Sequence, residues 1–268
     1  MSCLSKLFNM VINCRLLNLF ENNICHHQLG FKKNSRTSDG VFIVKTLFNK
    51  YINYKKKKIY GCFVDLKKAF DSVWRLGLLY KITKNENIGV KFYNLIKNMY
   101  KNTEASVKSK ENISEYVSID RGVKQGDNMS PNLFNVYIND LLENIDESCK
   151  PVTLQNMSMN CLMFADDILL LSETPEGLQN SINKLNSYCN KWQLTINTQK
   201  TKIMVFQQKN ILYNKYDFYL NGDKLEKVLK YKYLGNIIEA SGKLTSSHTE
   251  LAKKGTKVLF SFFKYFSP

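Results

Sequence analysis

The sequence predicts an α+β fold, and three observations predict it. A continuous apolar run over 59–64 ends in Asp65. Two more apolar runs, 161–164 and 168–171, flank the step Ala165-Asp166-Asp167. Apolar residues at helical spacing follow Ser130-Pro131 and Thr174-Pro175. Short apolar runs bounded by turn formers read as strands, and stripes of period 3.6 read as helices. Helices mixed with antiparallel hairpins make the class α+β.

Taken in order, positions 4 to 20 carry Leu4, Leu7, Phe8, Val11, Ile12, Leu16 and Leu19, a helical period with one apolar face. The lysine run 55–58 reads as a solvated turn before the buried strand 59–64, although a localisation signal or a phosphate contact would look the same. Ser130 as N-cap and Pro131 at the first helical position open a helix with the stripe Leu133, Tyr137, Leu141 and Ile145. Thr174-Pro175 opens another, lined by Leu178, Ile182, Leu185, Cys189 and Trp192, which makes Trp192 a core residue and not a base-stacking one. Between these helices the two apolar runs form a β-hairpin with Asp166 and Asp167 at its turn. Asn221-Gly222 supplies a type I′ turn for a second hairpin over 216–228. One helix-like segment, 251–266, ends the chain.

Composition bounds the partners. The 268 residues are 44% hydrophobic, enough for a sizeable core, and hold 39 Lys plus Arg against 23 Asp plus Glu. The resulting charge of +16 suggests a polyanion, either nucleic acid or an anionic membrane surface. A chain rich in Lys, Asn, Ile and Tyr is also what AT-rich coding DNA yields without any binding role. No run of about 18 apolar residues is present and no basic amphipathic helix is evident, so a membrane partner is disfavoured. Seven cysteines without a C-x-x-C pair or a secretion signal fit a reduced intracellular compartment, nuclear or cytoplasmic and not secreted. Cys25-His26-His27 lacks a second ligand pair, so no structural zinc is expected.

The carboxylates need explaining. Asp166 beside Asp167, between hydrophobic strands, can be a solvated turn. Asp65 at its strand end can be a helix cap. If the two strand ends are neighbours in one sheet, however, the acids converge. Converging carboxylates are tolerable when divalent cations neutralise them, and Mg²⁺ suits, because it keeps sites for water and substrate phosphates. Paired metals of this kind serve nucleotidyl transfer.

With those residues in view a family resemblance becomes legible. The stretch from Phe63 to Trp74, containing Asp65-Leu66-Lys67-Lys68-Ala69-Phe70-Asp71, resembles the first palm motif of non-LTR retrotransposon reverse transcriptases. Arg121-Gly122-Val123-Lys124-Gln125-Gly126-Asp127, running on to Ser130-Pro131, resembles their glycine-containing loop and helix. Phe164-Ala165-Asp166-Asp167 resembles the catalytic hairpin. The stretch from Asn197 to Lys202 is similar to the lysine motif, and Tyr233-Leu234-Gly235 to the motif leading to the thumb. Gln28-Leu29-Gly30-Phe31 with Arg36-Thr37-Ser38-Asp39 is similar to a fingers motif. Six motifs in the family's order cover nearly the whole chain.

The resemblance implies a right-hand polymerase palm over 59–235 with a helical insertion around 75–115, partial fingers over 1–58, and the start of a shortened thumb over 236–268. It implies an RNA-directed DNA polymerase that extends a DNA primer on an RNA template with deoxynucleoside triphosphates and two Mg²⁺ ions, Mn²⁺ being a possible substitute. Asp65, Asp166 and Asp167, with the Leu66 carbonyl, would hold the metals, and Lys200 would protonate the leaving pyrophosphate. Phe70 would pack under the deoxyribose, and Gln125, Gly126 and Arg36 would meet the nucleotide. Arg121 and Lys124 would contact nucleic acid. Asn128-Met129 stands where the family usually has Pro-Leu. The fingers segment that normally precedes the region matching 2–8 is absent, which implies a shortened grip on nucleic acid. The competing reading is a catalytically inactive remnant that at most binds nucleic acid; an intron maturase fits less well.

Overall fold

In the computed structural model, residues 3–20, 24–110, 112–145, 147–209, 211–212 and 215–266 are described. The chain runs through α1 (Cys3–Phe20), α2 (Thr37–Phe48), β1 (Ile59–Val64), α3 (Ala69–Ser72), α4 (Arg75–Thr83) and α5 (Val90–Met99). Four two-residue strands follow, β2 (Glu104–Ala105), β3 (Lys108–Ser109), β4 (Asn112–Ile113) and β5 (Val117–Ser118), and then α6 (Ser130–Ile138). The second half holds β6 (Val152–Leu154), β7 (Met157–Met159), β8 (Cys161–Phe164), β9 (Asp167–Ser172), α7 (Pro175–Lys191) and β10 (Lys202–Phe206). It ends with β11 (Tyr219–Leu220), β12 (Asp223–Lys224), β13 (Glu226–Lys227), β14 (Lys230–Tyr233), β15 (Asn236–Glu239) and α8 (Thr245–Phe266).

The central sheet has the order β13-β10-β1-β9-β8. β1 lies in the middle, antiparallel to both β10 and β9, and all six of its residues are buried. Its near-continuous apolar run follows from this position, since a strand covered on both faces has no solvent side to make polar. Tyr60, Cys62 and Val64 face a core shared with α1, α4, α6 and α7, whereas Ile59 and Phe63 face a second core under α2 and the β14–β15 hairpin. Phe63 is fully buried and stacks on Tyr231, ring centroids 4.3 Å apart. Truncating such a ring to Ala costs about 3–5 kcal/mol.

The expected elements are found with corrections, the first being that α6 ends at Ile138, so Leu141 of its predicted stripe lies in a 3₁₀ helix over Asn139–Asn144 and Ile145 just past it. α1 forms, but only Asn9, Ile12, Leu16 and Phe20 are buried, while Leu4, Leu7, Phe8 and Val11 are exposed. The predicted face therefore covers the core only along its second half. Ser130 does not cap α6 with its side chain. Its hydroxyl donates to the Lys124 carbonyl (2.6 Å), and the buried Asp127 accepts the Met129 N–H instead. The insertion over 75–115 is helical only to Met99; beyond that the chain pairs β2 with β5 and β3 with β4.

Other expectations stand. Thr174 caps α7 by accepting the Gly177 N–H at 3.0 Å. Leu178, Ile182, Leu185, Cys189 and Trp192 are all buried. The lysine run 55–58 is exposed. Cys62, Cys149, Cys161 and Cys189 are buried thiols, and Cys3 and Cys14 are exposed ones. Asn221 and Gly222 both have positive φ between β11 and β12, as a type I′ turn requires, but β13 leaves that hairpin to pair parallel with β10.

Candidate active site

The sheet register decides where the acids go. Val64 of β1 pairs with Ile168 of β9, and Phe164 of β8 pairs with Asp167 across the hairpin turn. One step past Val64 is Asp65, and one step before Ile168 is Asp167, so the two lie at the same end of adjacent central strands. Asp65 is not a helix cap: the residue before α3 is Lys68, in the left-handed region at φ +47°. Its backbone is held by the loop leading to β10. The Asn197 N–H donates to the Asp65 carbonyl (2.8 Å), and the Asp65 N–H donates to the Thr201 hydroxyl (3.3 Å). The neighbouring Lys67 N–H donates to the Thr195 carbonyl, so the Leu66 carbonyl takes no part in this ladder.

The acids perturb one another. Burial, and then the charge of Asp65, raises the Asp166 carboxyl above the usual range. Asp167 is open to solvent at the turn, yet the protein around it, Asp166 and Asp65 together push it up to about 6. The Tyr231 hydroxyl is pushed up as well, by burial and by the charges of Asp167 and Asp65, which places the β14–β15 hairpin beside the acids. Among the described residues no ion pair neutralises any of the three carboxylates.

Crowded carboxylates with no cation fit a divalent metal by charge. Among the described residues no group of three or more His, Cys, Asp or Glu side chains is closed tightly enough to hold an ion alone.

A recess of about 530 Å³ opens beside this strand end, lined by Asp65, Leu66, Lys67, Lys68, Asp71, Ser72, Arg121, Asn197 and Lys200. The loop that holds Asp65 also carries Lys200, whose N–H donates to the Asn197 carbonyl and whose side chain is exposed. A second recess of about 510 Å³ shares Asp71 and Arg121 with the first and adds Arg75, Lys124 and Gln125 to its walls. The Gln125 amide donates to Asp71 at 2.7 Å. Asp71, six residues past Asp65, therefore joins both recesses; an acid in the first turn of α3 was the available signal. Lys124 turns its ammonium to the Met99 carbonyl (2.8 Å).

The remaining expected residues divide. Phe70 is half-buried against the core and stacked on Phe134 at 4.8 Å, away from the wall of either recess. Gly126 has φ +78°, which suits glycine in this turn, and no protein atom lies within 4 Å of where a Cβ would sit. Arg36 is exposed; its N–H donates to Asp39, which caps α2, and it lines neither recess.

A sheet with antiparallel central strands, backed by helices, with acids at the ends of those strands and a cationic recess alongside, defines a right-hand polymerase palm. The comparisons agree. Residues 1–238 match the sequence model of the family described as reverse transcriptase (RNA-dependent DNA polymerase), and the chain belongs to that family. It is 28% identical over 247 residues to an RNA-directed DNA polymerase from the mobile element jockey of Drosophila funebris. It is also 28% identical over 246 residues to a probable RNA-directed DNA polymerase from transposon BS of Drosophila melanogaster. These alignments cover 89% and 88% of the chain but 26% of each relative, so the chain spans about a quarter of their length. Among solved structures it resembles an apo telomerase from Candida tropicalis, with TM-score 0.61 and 15% identity over 87% of this chain and 44% of that one. That likeness concerns the fold. No helix among the described residues is long and apolar enough to cross a membrane.

Proposed function

We propose that this chain is the polymerase core of an RNA-directed DNA polymerase from a non-LTR retrotransposon. The observation that carries the proposal is the convergence of Asp65, Asp166 and Asp167 at one end of β1 and β9, without a cationic partner among the described residues. Two divalent cations, Mg²⁺ or Mn²⁺, would be held by these carboxylates and the Leu66 carbonyl, and would stabilise the attacking and leaving oxygens of an in-line displacement. Lys200, at the wall of the same recess, donates a proton to the pyrophosphate oxygen as it leaves. Arg121 and the exposed lysines Lys67 and Lys68 attract the triphosphate and the template–primer backbone. Gln125, at the wall of the second recess, and the adjoining exposed Gly126 meet the nucleotide and template. Phe70 bears on the sugar through the ring edge not stacked on Phe134. Arg36 reaches nucleic acid from the fingers side.

In this reading 1–58 belong to the fingers, 59–235 to the palm and 236–268 to the start of the thumb. The last boundary falls in the β14–β15 hairpin, where Tyr233 pairs with Asn236. The compartment is intracellular, nuclear or cytoplasmic. Primer extension on an RNA template with Mg²⁺ or Mn²⁺ tests the proposal, against the Asp166→Asn, Asp167→Asn double variant. Extension by the native chain alone supports a polymerase. Equal failure of both well-folded proteins points to a remnant that at most binds nucleic acid.

A further inference from the structure

The turn that carries Asp166 and Asp167 has a built-in problem. Phe164 and Asp167 pair directly, so Ala165 and Asp166 form a two-residue turn. Ala165 has φ +56°, whereas Asp166 is not among the residues of positive φ, the pattern of a type II′ turn, whose first central position favours Gly. An alanine there is strained and is held only if its surroundings fix it. Those surroundings lie more than a hundred residues away in sequence.

The Gln28 side chain is fully buried. Its amide oxygen accepts two N–H groups, from Gly30 at 2.8 Å and from Ala165 at 3.0 Å. Its backbone runs parallel to β8: the Met163 N–H donates to the His27 carbonyl (2.9 Å), and the Leu29 N–H donates to the Met163 carbonyl (2.8 Å). Gly30 packs flat on the turn, where a Cβ would overlap the Ala165 nitrogen and lie 2.8 Å from the Phe164 carbonyl carbon. The Gly30 carbonyl in turn accepts from the buried amide of Asn135 on α6 at 2.6 Å. An unbroken chain of contacts thus runs from α6, through Gly30 and Gln28, to the peptide that begins the catalytic turn. Gln28 Nε2 and Asn135 Oδ1 are buried without hydrogen-bond partners, a cost that an arrangement serving packing alone would avoid.

We propose that Gln28, with Gly30 and Asn135, is a latch that positions the Asp166–Asp167 turn, and that Gln28 sets divalent-metal affinity without touching the metal. The inference rests on the polymerase reading only for its metal readout; the latch itself concerns this chain's own hydrogen bonds. An amide oxygen that fixes the ligand-bearing turn acts as outer-shell partners do, and loss of such a partner typically weakens metal binding about 10- to 100-fold.

Two measurements on the full chain test it. The Ala165 amide of the native protein, although at a hairpin tip, exchanges slowly with solvent deuterium; fast exchange would overturn the latch. Mn²⁺ titration followed by electron paramagnetic resonance then compares native protein with Gln28→Met, which keeps the volume and loses the acceptor. The expected result is affinity weakened about tenfold, faster exchange at Ala165, and a nucleotide KM that is unchanged. Gln28→Glu keeps both acceptor positions and restores slow exchange, which decides the matter if the methionine variant does not fold. Mn²⁺ binding by a folded Gln28→Met within about twofold of native overturns the proposal. Absence of Mn²⁺ binding by the native protein with Ala165 still protected removes the polymerase reading and the metal role together, and leaves the hydrogen bond standing.

Discussion

Asp65 and Asp167 stand side by side because Val64 and Ile168 are cross-strand partners and each acid lies one residue beyond that pair. The two acids are 102 positions apart in sequence, and the strand register brings them together. A slip of one residue would turn every side chain of β9 to the opposite face and carry Asp167 with it. The pairing register of β1 on β9 is therefore what holds the acids together.

The first prediction concerns pH. Asp167 is raised to about 6, first by desolvation from the protein packed around its carboxyl and then by Asp166 and Asp65, against about 3.9 in an unfolded chain. Between those values the folded protein binds more protons than the unfolded one, so this contribution to stability is full below about pH 4 and is lost as pH rises through about 6. Metal-free protein should therefore lose stability relative to Asp167→Asn over that window. Metal binding needs the deprotonated acids, so Mg²⁺ should raise Tm little at about pH 5 and clearly at about pH 7.5. Calorimetric melts at both pH values check this; an Mg²⁺ shift independent of pH would remove Asp167 from the metal site.

A second prediction separates two glycines of one loop. Gly122 and Gly126 have nearly the same φ, +82° and +78°. Placing a Cβ at either costs about 1–2 kcal/mol for the left-handed backbone. At Gly122 the added carbon would also lie 2.8 Å from the Asp71 carbonyl oxygen, whereas at Gly126 it meets nothing. Gly122→Ala should be the more destabilising in urea unfolding, by at least about 1 kcal/mol. Equal losses would show that the loop shifts freely away from α3.

Much of this was legible in the sequence, for physical reasons. A strand buried on both faces must be apolar throughout, so Ile59–Val64 announced itself, and Thr174-Pro175 declared a helix start that the structure keeps. The site's acids were readable because charge between apolar runs demands a reason. What stayed hidden depends on long-range contacts. Nothing local marks Gln28 as the acceptor for Ala165, or Asp71 as the partner of Gln125. The exposed half of α1 has the same periodicity as the buried half, so pattern alone could not divide it. Ser130 has the right chemistry for a cap, but the turn from Asp127 directs its hydroxyl to Lys124.

Phe70 carries the third prediction. Its half-buried ring stacks on Phe134, so Phe70→Val should cost about 1–2 kcal/mol of stability, less than the loss of a fully buried ring. If its free edge also bears on the sugar, the same variant should accept ribonucleotides more readily, measured as the ratio of kcat/KM for deoxyribo- and ribonucleoside triphosphates. Lost stability with an unchanged ratio would make Phe70 a core residue only.

Lys200 supplies the sharpest separation between chemistry and fold. Its side chain is exposed, and its loop is held by backbone bonds from Asn197 to Asp65 and from Thr201 to Asn197 that do not involve the ammonium. Lys200→Ala should therefore leave stability within the small range usual for surface changes, roughly 0.5 kcal/mol. Loss of a general acid lowers kcat about 10²-fold or more, and if proton donation is its task, KM for the nucleotide should move little. Single-turnover extension with saturating template–primer measures both. A rise in KM at constant kcat would instead make Lys200 one more cation for the triphosphate, and the proton for the leaving group would have to come from water in the recess that Asp65, Asn197 and Lys200 share.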